Sequence, residues 1–421
     1  MINKLAKKFK ENSKLIEGWF ETKAEGIRLP ITSSVDIRNA GFKITVVDTN
    51  VFPAGFNNLC NNFSKIAAQN FKKYFETNAP KAKKVLIVPE TFTRNLNYLE
   101  NVRAMQKLLQ LAKLEAAVGF LGETLPQNPH EVSLPSGEKL VLEQLERKNG
   151  ALQVKSFKPD AILLNNDCSD GIPEILQNVS QPIFPSPDLG WHTRRKKHHF
   201  IIYCQLVEEL GKALDIDCWH FCPITYSESN VDIENQQDLE RLAKRAEQVL
   251  GRAKTKYTKY GINEKPYVFV KSNVGTFGLG LTHVESPDEI LNLNRKGRQK
   301  LTSAKGGGKP TEFLIQEGIP TIDSLEGAPI EPVLYYVGGE SVGGFFRVHE
   351  KKDDRASLNA PGARFECLCF HKIKEKKTGE LVLHCEDHED FFTIARWLGK
   401  IATLAAGLEE KKINTSTSLQ V

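Results

Sequence analysis

Apolar and polar positions alternate with two different periods along the first half of the chain. Apolar residues spaced by three and four positions predict helices over residues 61–75 and 96–114. Continuous apolar runs, which are typical of buried parallel strands, cover residues 84–89, 116–121 and 161–165. Strands that alternate with helices favour an α/β fold built on a parallel sheet that is covered on both faces.

The second half has a different pattern. Residues 181–188 are rich in proline and predict a linker, and a helix is predicted to follow over residues 200–214. Further along, short β-rich runs alternate with glycine-rich turns, and an amphipathic helix is predicted over residues 391–404. The consecutive glycines within residues 305–309 predict a flexible loop, and the polar tail after Glu410 is predicted to be disordered.

The 421 residues, 40% of them hydrophobic, are enough for two or three domains with buried cores. Lys and Arg number 57 against 52 Asp and Glu, and the net charge of +5 is spread along the chain, unlike the concentrated basic stripe of a nucleic-acid-binding protein. Apolar runs stop far short of the roughly 18 residues that cross a bilayer. The lysine-rich start lacks the apolar segment of a secretory signal, so we expect a cytoplasmic protein without membrane or nucleic-acid partners.

The eight cysteines are too few and too scattered for a disulfide framework, which favours a reducing compartment. Cys218 and Cys222 have a spacing compatible with a metal, but no second pair of Cys or His residues completes four zinc ligands. Cys367 and Cys369 take alternate positions of a predicted strand. We therefore interpret the cysteines as buried thiols.

The strongest local motif is an apolar strand that ends at Lys271 and runs into a loop containing Gly275, Gly278 and Gly280. Bare backbone N–H groups and one ammonium group at such a turn can converge on a polyphosphate. No Gly-Lys-Ser/Thr follows, so the loop is not a Walker P-loop. A plain β-hairpin explains the pattern as well, and the surrounding motifs must decide.

A second strand further along the chain carries Gln316, Glu317, Gly318 and Ile319. An adenine ring can lie along such a segment, with the backbone pairing with the ring and a carboxylate accepting from the exocyclic amine. This segment therefore favours the nucleotide interpretation of the Lys271 loop.

Residues 330–348 predict a β-hairpin that is turned by Gly338 and Gly339, with Arg347 on its second strand among apolar residues. A guanidinium group in that position can hold phosphate or acyl-phosphate oxygens in a dry site. A salt-bridged arginine, or one that buries only its aliphatic stem, explains the position equally well.

Two short strands near the start of the chain, joined by an Asn-Ala-Gly turn, carry candidate metal ligands. Asp36 lies on the first strand, and Asp48 and Asn50 lie on the second, on the same face by the period of two. Such oxygen ligands suit Mg²⁺, which uses one or two carboxylates together with substrate phosphates and water. Asp-x-Asn is also common in turns, so the pattern alone does not establish a metal site.

Together these segments resemble the ATP-grasp ligases: the Lys271 loop, residues 316–319, the hairpin ending at Arg347, and the segment Ser357-Leu-Asn359-Ala-Pro-Gly362. That family joins a carboxylate to an amine through an acyl phosphate made from ATP. In its usual order the magnesium-binding strands follow the closing helix, whereas here the acidic hairpin comes first. The resemblance implies a circularly permuted ATP-grasp fold, as in eukaryotic-type glutathione synthetase.

The implied organisation has three parts. Residues 1–60 are a metal-binding hairpin region that completes the ATP-grasp domain, residues 61–185 are an inserted parallel-sheet domain for substrate, and residues 186–421 are the ATP-grasp domain proper. The order of all motifs resembles the bacterial glutamate-cysteine ligase of the ATP-grasp type over nearly the whole chain. Such an enzyme uses ATP, glutamate and cysteine to make gamma-glutamylcysteine, the first step of glutathione biosynthesis.

A basic run over residues 191–200 precedes the predicted helix, and cations at a helix start are unfavourable unless an anion is present. A solvated turn or an RNA-binding patch also explains the run. The resemblance implies a second lysine for the nucleotide phosphates here, with Lys197 favoured and Lys196 close behind. The implied ATP-binding residues are Lys196, Lys197, Lys271, Gly275, Thr276, Gly278, Gly280, Gln316, Glu317 and Ile319.

The resemblance also implies roles in the reaction. Asp36, Asp48 and Asn50 would hold two Mg²⁺ ions, with Mn²⁺ as a substitute, and Asn359 and Glu331 stay open as further ligands. Lys271 and Arg347 are the implied catalytic residues. Polar residues that follow the strands of the parallel sheet are the substrate candidates, and the arginine among them suits an α-carboxylate; they are Glu90, Arg94, Asn165, Asn166 and Asp167.

Helix capping and turn formation explain Asn165, Asn166 and Asp167 equally well. Glutathione synthetase or another ATP-grasp ligase is the alternative within the same reaction class. A non-catalytic nucleotide-binding or RNA-binding protein is the alternative from a different class. The sequence does not decide whether the protein forms a homo-oligomer.

Overall fold

The computed structural model describes residues 1–91, 95–275, 280–303, 309–368 and 389–418, with side chains as far as residue 413. The helices are α1 (Ile2–Glu11), α2 (Ser13–Ala24), α3 (Asn61–Asn78), α4 (Leu96–Leu111), α5 (Lys196–Leu214), α6 (Gln236–Tyr260), α7 (Pro287–Leu291), α8 (Arg295–Leu301) and α9 (Glu389–Ser418). The strands are β1 (Thr32–Asn39), β2 (Ile44–Asn50), β3 (Lys84–Pro89), β4 (Glu115–Phe120), β5 (His130–Ser133), β6 (Lys139–Gln144), β7 (Glu146–Lys148), β8 (Ala151–Gln153), β9 (Ala161–Asn165), β10 (Ile183–Phe184), β11 (Thr225–Glu228), β12 (Val268–Ser272), β13 (Leu281–Val284), β14 (Phe313–Glu317), β15 (Ser324–Leu325), β16 (Ala328–Val337), β17 (Glu340–Val348) and β18 (Arg364–Cys367).

The central sheet joins the two ends of the chain. Its strand order is β18-β17-β16-β1-β2, with neighbouring strands antiparallel, and Thr32 of β1 pairs with Val337 of β16. Alternation along the strands sends Val35 and Leu334 into a core with α1, α5 and α9. The opposite face carries Asp36, and this face forms the site described below.

The hairpin predicted over residues 330–348 is confirmed. Gly338 and Gly339 turn it with φ of +59° and +84°, which are the positive values that a tight two-residue turn requires. A Cβ on Gly339 would lie 2.4 Å from Leu29, so packing as well as backbone conformation restricts this turn to glycine.

The second sheet has the order β10-β9-β3-β4-β6-β5, parallel except for the pairing of β5 with β6. The predicted strands β3, β4 and β9 are confirmed. Helices α3 and α4 cover one face, and the other is covered by the β7–β8 hairpin and residues from Cys168 to Ile183. The predicted linker at 181–188 is wrong in part, because Ile183 and Phe184 pair with β9 as an edge strand.

The third sheet is antiparallel, with the order β11-β14-β12-β13, and it packs on α6. Sequence analysis did not predict α6. Asn235 caps its start by accepting from the Gln237 backbone N–H, and Gly261, with φ of +66°, ends it. Leu239, Leu242 and Ala246 are among the residues on its buried face.

Helix α9 is longer than predicted, and the disorder predicted after Glu410 is wrong as far as Ser418. The buried carboxylates of Glu409 and Glu410 are ion-paired with Arg194 and Arg28, which anchors this last part of the helix. Residues 389–413 are long and apolar enough to cross a membrane, but 72% of the most apolar window is buried inside the molecule. Such burial is typical of a core helix.

The interpretation of the cysteines as thiols is wrong for two of them, since Cys204 and Cys222 form a disulfide with a Cα–Cα distance of 5.6 Å. Cys168 is buried, as predicted, whereas Cys367 is exposed on β18. Cys369 lies outside the described residues.

Candidate functional site

Two cavities open on the polar face of the central sheet. The first cavity, of about 680 Å³, lies between the central sheet and the sheet that contains β12 and β14. The second cavity, of about 1460 Å³, lies between the central sheet and the carboxyl ends of β3 and β9. Asp36 and Asn359 line both cavities, so the two volumes meet at these side chains.

The acidic hairpin faces this junction. Asp36 and Asp48 stand directly opposite each other on β1 and β2, and Asn50 stands opposite Ser34, so the predicted shared face is what the register produces. Burial, together with the nearby Glu331 and Asp48 carboxylates, raises the pKa of Asp36 in spite of its contact with Arg347. Burial would also raise the pKa of Asp48, but Lys196 and Lys271 lower it to about 2.

The hairpin fits a hard cation only in part. Among the residues that the structure describes, no three His, Cys, Asp or Glu side chains converge into a metal site. The Oδ1 atom of Asn50, however, is buried without a hydrogen-bond partner. Two facing carboxylates and one unsatisfied amide oxygen suit Mg²⁺, which completes its shell from phosphate and water.

Two lysines line the first cavity, one from α5 and one from β12. Lys196, the first residue of α5, lies 2.6 Å from the Asp48 Oδ1 atom and 4.7 Å from the centre of the Trp191 ring. Lys271 donates to the Val47 carbonyl and to Gln316 Oε1, and burial lowers its pKa to about 8. Lys196 lines the first cavity, whereas Lys197 is not among the described residues that line it, so the preference for Lys197 stays a prediction that this lining does not support.

The carboxylate of Glu317 has three hydrogen-bond partners within the protein. It accepts from Lys43 Nζ at 2.6 Å, from the Ile224 backbone N–H at 2.9 Å and from Trp219 Nε1 at 3.1 Å. Lys43 and Glu317 are fully buried, and burial lowers the pKa of Lys43 to about 8. Glu317 lines the first cavity, but its carboxylate already has these three partners, so its predicted contact with an adenine amine stays a prediction.

Gln316 and Ile319 line the first cavity beside Glu317. The Nε2 atom of Gln316 is buried without a hydrogen-bond partner, so one donor of this amide is available to a bound molecule. Phe269 and Leu281, from the neighbouring strands, add apolar surface to the same cavity.

The glycine loop is described at its two ends. Gly275 lines the first cavity with φ of +92°, and the Gly280 carbonyl accepts from the Ser272 backbone N–H at 2.8 Å. Thr276 and Gly278 lie outside the described residues, so their predicted contacts with nucleotide stay predictions.

Arginines and a carboxylate form a buried chain across the central sheet. Arg347 Nη1 contacts Asp36 Oδ2 at 3.1 Å and also contacts Glu331, while Arg38 Nε lies 2.8 Å from Glu331. Arg38 also donates to the Ile319 carbonyl at 3.0 Å. Because Glu331 is held between two guanidinium groups, its carboxylate orients the arginines and is less available to a metal.

The second cavity contains three of the predicted substrate residues, Glu90, Asn165 and Asp167. Glu90 accepts from the Asp167 backbone N–H at 3.0 Å, which holds the two strand ends together. Asn166 accepts from the Cys168 backbone N–H and forms a turn, so its predicted substrate role finds no support in this contact. Arg94 lies outside the described residues.

Asn165 belongs to a network that sequence analysis missed. Its Nδ2 donates to the Pro53 carbonyl at 3.0 Å, and its Oδ1 accepts from Asn101 Nδ2 at 3.1 Å and from the Tyr98 hydroxyl at 2.9 Å. The buried Asn101 also accepts from the backbone N–H groups of Gly55 and Phe56. These bonds hold the loop that follows Asn50 against the end of β9.

The family model for glutamate-cysteine ligase matches residues 6–410. Among solved structures, a candidate gamma-glutamylcysteine synthetase from Methylobacillus flagellatus KT has a TM-score of 0.87 and 35% sequence identity, over 97% of this chain and 96% of that chain. Two more distant structures have similarities too low to carry an argument. They are the D-alanyl-alanine synthetase A of Vibrio cholerae O1 biovar eltor str. N16961 (TM-score 0.36, 11% identity, 75% of this chain and 80% of that chain) and a glutathione synthetase-like effector of Globodera pallida (TM-score 0.37, 11% identity, 83% and 82%). The search of curated proteins found no match in sequence.

Proposed function

The chain belongs to the glutamate-cysteine ligase family, and we propose that its two cavities divide the reaction, with ATP in the first cavity and glutamate and cysteine in the second. The family reaction uses ATP and yields gamma-glutamylcysteine, the first step of glutathione biosynthesis. The main support for this division is that Asp36 and Asn359 line both cavities, so that the two cavities meet at these side chains. A phosphoryl group in one cavity and a carboxylate in the other can meet there.

For the architecture we propose a circularly permuted ATP-grasp fold. Residues 1–60 and 186–421 form the ATP-grasp unit, and residues 61–185 form an inserted substrate domain. In support, β1 and β2 share a sheet with β16 and β17, and the parallel strands all belong to the proposed insertion.

The divalent ion that we propose is Mg²⁺, with Mn²⁺ as a substitute and two ions in the site. Asp36, Asp48 and Asn50 would hold it, and the unsatisfied Oδ1 atom of Asn50 supports this set. When bound, the metal would offset phosphate charge and polarise the transferred phosphoryl group.

Lys196 and Lys271 neutralise the phosphates of the bound nucleotide in the first cavity. The adenine ring lies between the apolar surface of Phe269 and Leu281 and the segment at Ile319. The free donor of Gln316 faces a ring nitrogen, since Glu317 is occupied by its own partners.

The reaction runs in two displacements. A γ-carboxylate oxygen of glutamate attacks the terminal phosphorus of ATP, and the bond to the bridging oxygen breaks, giving ADP and an acyl phosphate. The cysteine nitrogen then attacks the acyl carbon, phosphate leaves, and the nitrogen loses a proton. Arg347 stands beside Asp36 at the junction, where its guanidinium group stabilises negative charge on the reacting oxygens.

ADP release tests the substrate assignment. The full-length protein with Mg²⁺ and ATP is expected to release ADP with glutamate and cysteine, and not with gamma-glutamylcysteine and glycine. Turnover with the second pair alone would make the protein a glutathione synthetase.

We also propose that the enzyme works in the cytoplasm without a nucleic-acid partner. RNA binding that falls steeply with salt and is indifferent to Mg-ATP would contradict the second part of this proposal.

A further inference from the structure

The Cys204–Cys222 disulfide joins α5 to a short segment, residues 217–224, that we name the hinge bracket. A third cysteine, Cys218, lines the same cavity of about 680 Å³ as the disulfide. All three cysteines are half-buried, so a small solute can reach them. We propose that this disulfide is a reversible switch that small thiols open and that sets the affinity of the enzyme for nucleotide.

The hinge bracket holds the strand on which the adenine site depends. Trp219 Nε1 and the Ile224 backbone N–H both donate to the carboxylate of Glu317, at 3.1 and 2.9 Å. The Glu317 backbone N–H in turn donates to the Ile224 carbonyl at 2.8 Å. Glu317 and Ile319 line the first cavity, so movement of the bracket is transmitted to the nucleotide site.

The other side of the hinge bracket contacts α5 and β2. The Phe221 carbonyl accepts from the Tyr203 hydroxyl at 2.9 Å and from the Thr45 hydroxyl at 2.7 Å. Tyr203 is the residue before Cys204, so the hydrogen bond and the disulfide fasten the bracket to the same turn of α5. Opening the disulfide removes the covalent attachment and leaves hydrogen bonds, the Lys256–Asp217 ion pair and the packing of Trp219 and Phe221 to hold the bracket in place.

The chemistry of opening is thiol–disulfide exchange. A thiolate attacks one sulfur of the Cys204–Cys222 bond, the S–S bond breaks, and a mixed disulfide and one protein thiolate result. A second small thiol displaces the first, so that two thiols become one small disulfide and the protein gains two thiols. Burial, with help from Asp217, raises the pKa of the Cys218 thiol, so Cys218 stays protonated and the attacking thiol comes from solution.

The source of such thiols rests on the proposed function, because the substrate cysteine and the product gamma-glutamylcysteine are both small thiols. Arg252, Lys256 and Asp217 line the disulfide cavity, and Lys256 is ion-paired with Asp217 at 2.6 Å, so the charge of Arg252 is the one that favours thiols carrying a carboxylate. Abundant thiol opens the switch and weakens nucleotide binding, whereas oxidising conditions close it. In the cytoplasm, disulfides are usually transient and redox-sensing, which agrees with a reversible bond.

The test uses the full-length protein, oxidised with cystine or reduced with dithiothreitol, and without glutamate. Peptide mapping measures the Cys204–Cys222 link, and calorimetry measures the Kd of Mg-ATP after removal of the small thiol. We expect reduction to raise the Kd by about threefold, since the reduced hinge samples the binding-competent position for less of the time.

Cys204→Ser and Cys222→Ser are expected to bind Mg-ATP as the reduced protein does, under both conditions. Cys218→Ser is the matched control, since it removes a thiol from the same cavity and leaves the disulfide and its response intact. If a variant fails to fold, the comparison of oxidised and reduced wild type carries the test alone.

Absence of the link after cystine treatment, or a link that leaves the Kd unchanged, would overturn the switch. A different result would contradict the proposed ligase function. In that case glutamate and cysteine would not stimulate ADP release, while the redox dependence of Mg-ATP binding would persist.

Discussion

The two cavities are built from different side chains. The first contains charges that are already paired, such as Lys196 with Asp48 and Arg38 with Glu331. The second, apart from Arg347 and a few carboxylates, is lined by amides and aromatic rings. Unpaired charge is costly to bury, so a site for a polyphosphate holds its charges in ion pairs until the ligand arrives. A zwitterionic amino acid needs less charge and can be oriented by neutral dipoles.

Asp48→Asn is the strongest test of the charged side of this comparison. We expect kcat to fall by about a hundred- to a thousandfold, because the substitution removes the carboxylate that faces Asp36 at the phosphoryl site. The protein should stay folded by circular dichroism, with a modest loss of thermal stability because Lys196 loses its partner.

Glu340→Gln is the control for Asp48→Asn, since Glu340 is an exposed carboxylate at the other end of the central sheet. We expect it to change kcat by less than about twofold. Unchanged turnover in Asp48→Asn would remove the basis for the metal site.

Replacement of the two adjacent lysines separates a charge inside the first cavity from one outside it. Lys196→Ala is expected to lower kcat/KM for ATP by about ten- to a hundredfold, because Lys196 is buried beside Asp48. Lys197→Ala removes the same charge from the same turn of α5 and is expected to change kcat/KM by less than about twofold. A larger loss in Lys197→Ala than in Lys196→Ala would support the preference for Lys197 that the sequence suggested.

Asn101→Leu tests the second cavity, which is lined mainly by neutral side chains. The substitution leaves the backbone N–H groups of Gly55 and Phe56 without their partner. This loss destabilises the local structure by about 1–3 kcal/mol. We expect the KM of an amino-acid substrate to rise by about tenfold, with the Kd of Mg-ATP unchanged.

Gln106→Leu is the matched control, because Gln106 lies on the same helix and donates to the Ala116 carbonyl away from both cavities. It should lower thermal stability without changing either KM. A rise in the Kd of Mg-ATP in Asn101→Leu would mean that the two cavities are not recognised independently.

The smallest effect expected in this comparison of the two cavities concerns pH. The pKa of Lys271 is lowered to about 8, so the free enzyme loses this charge as the pH rises through that value. Between pH 7 and 8.5, kcat/KM for ATP is expected to fall by about fourfold, while kcat should hold to higher pH because bound phosphates favour the charged lysine.

Burial also lowers the pKa of Lys43 to about 8. A variant is therefore needed to decide which of the two lysines causes the fall in kcat/KM. In Lys271→Arg the side chain keeps its charge at this pH, so we expect kcat/KM for ATP to stay constant between pH 7 and 8.5. If kcat/KM still falls over this pH range in Lys271→Arg, the titrating group is Lys43 or another residue.

Sequence analysis predicted the charged parts of the site because their chemistry restricts the residue types. The period of two in the strands is enough to put Asp36 and Asp48 on one face, and the register confirms it. A plain β-hairpin also explained Lys271 at the end of an apolar strand, and the neighbouring motifs favoured the nucleotide interpretation. The positions of these charged residues could therefore be predicted from local patterns, while their roles toward nucleotide stay proposals.

The neutral side could not be predicted, because its residues act through distant partners. Asn101 is one asparagine within a helix, and its hydrogen bonds reach Gly55 and Asn165. The ion pair of Glu317 with Lys43 could not be predicted for the same reason, since it joins residues far apart in the chain. Helix α6 was missed because several of its buried positions are alanines, which give little hydrophobic contrast.

The position of β1 between β2 and β16 has a consequence for synthesis on the ribosome. The β1–β2 hairpin leaves the exit tunnel about 300 residues before Val337, the partner of Thr32, is translated. Until then β1 exposes an unpaired edge, and its apolar face lacks its contacts with α9, which is translated later still. We expect nascent chains that stop before β16 to depend on chaperones, and the central sheet to be among the last parts of the molecule to close.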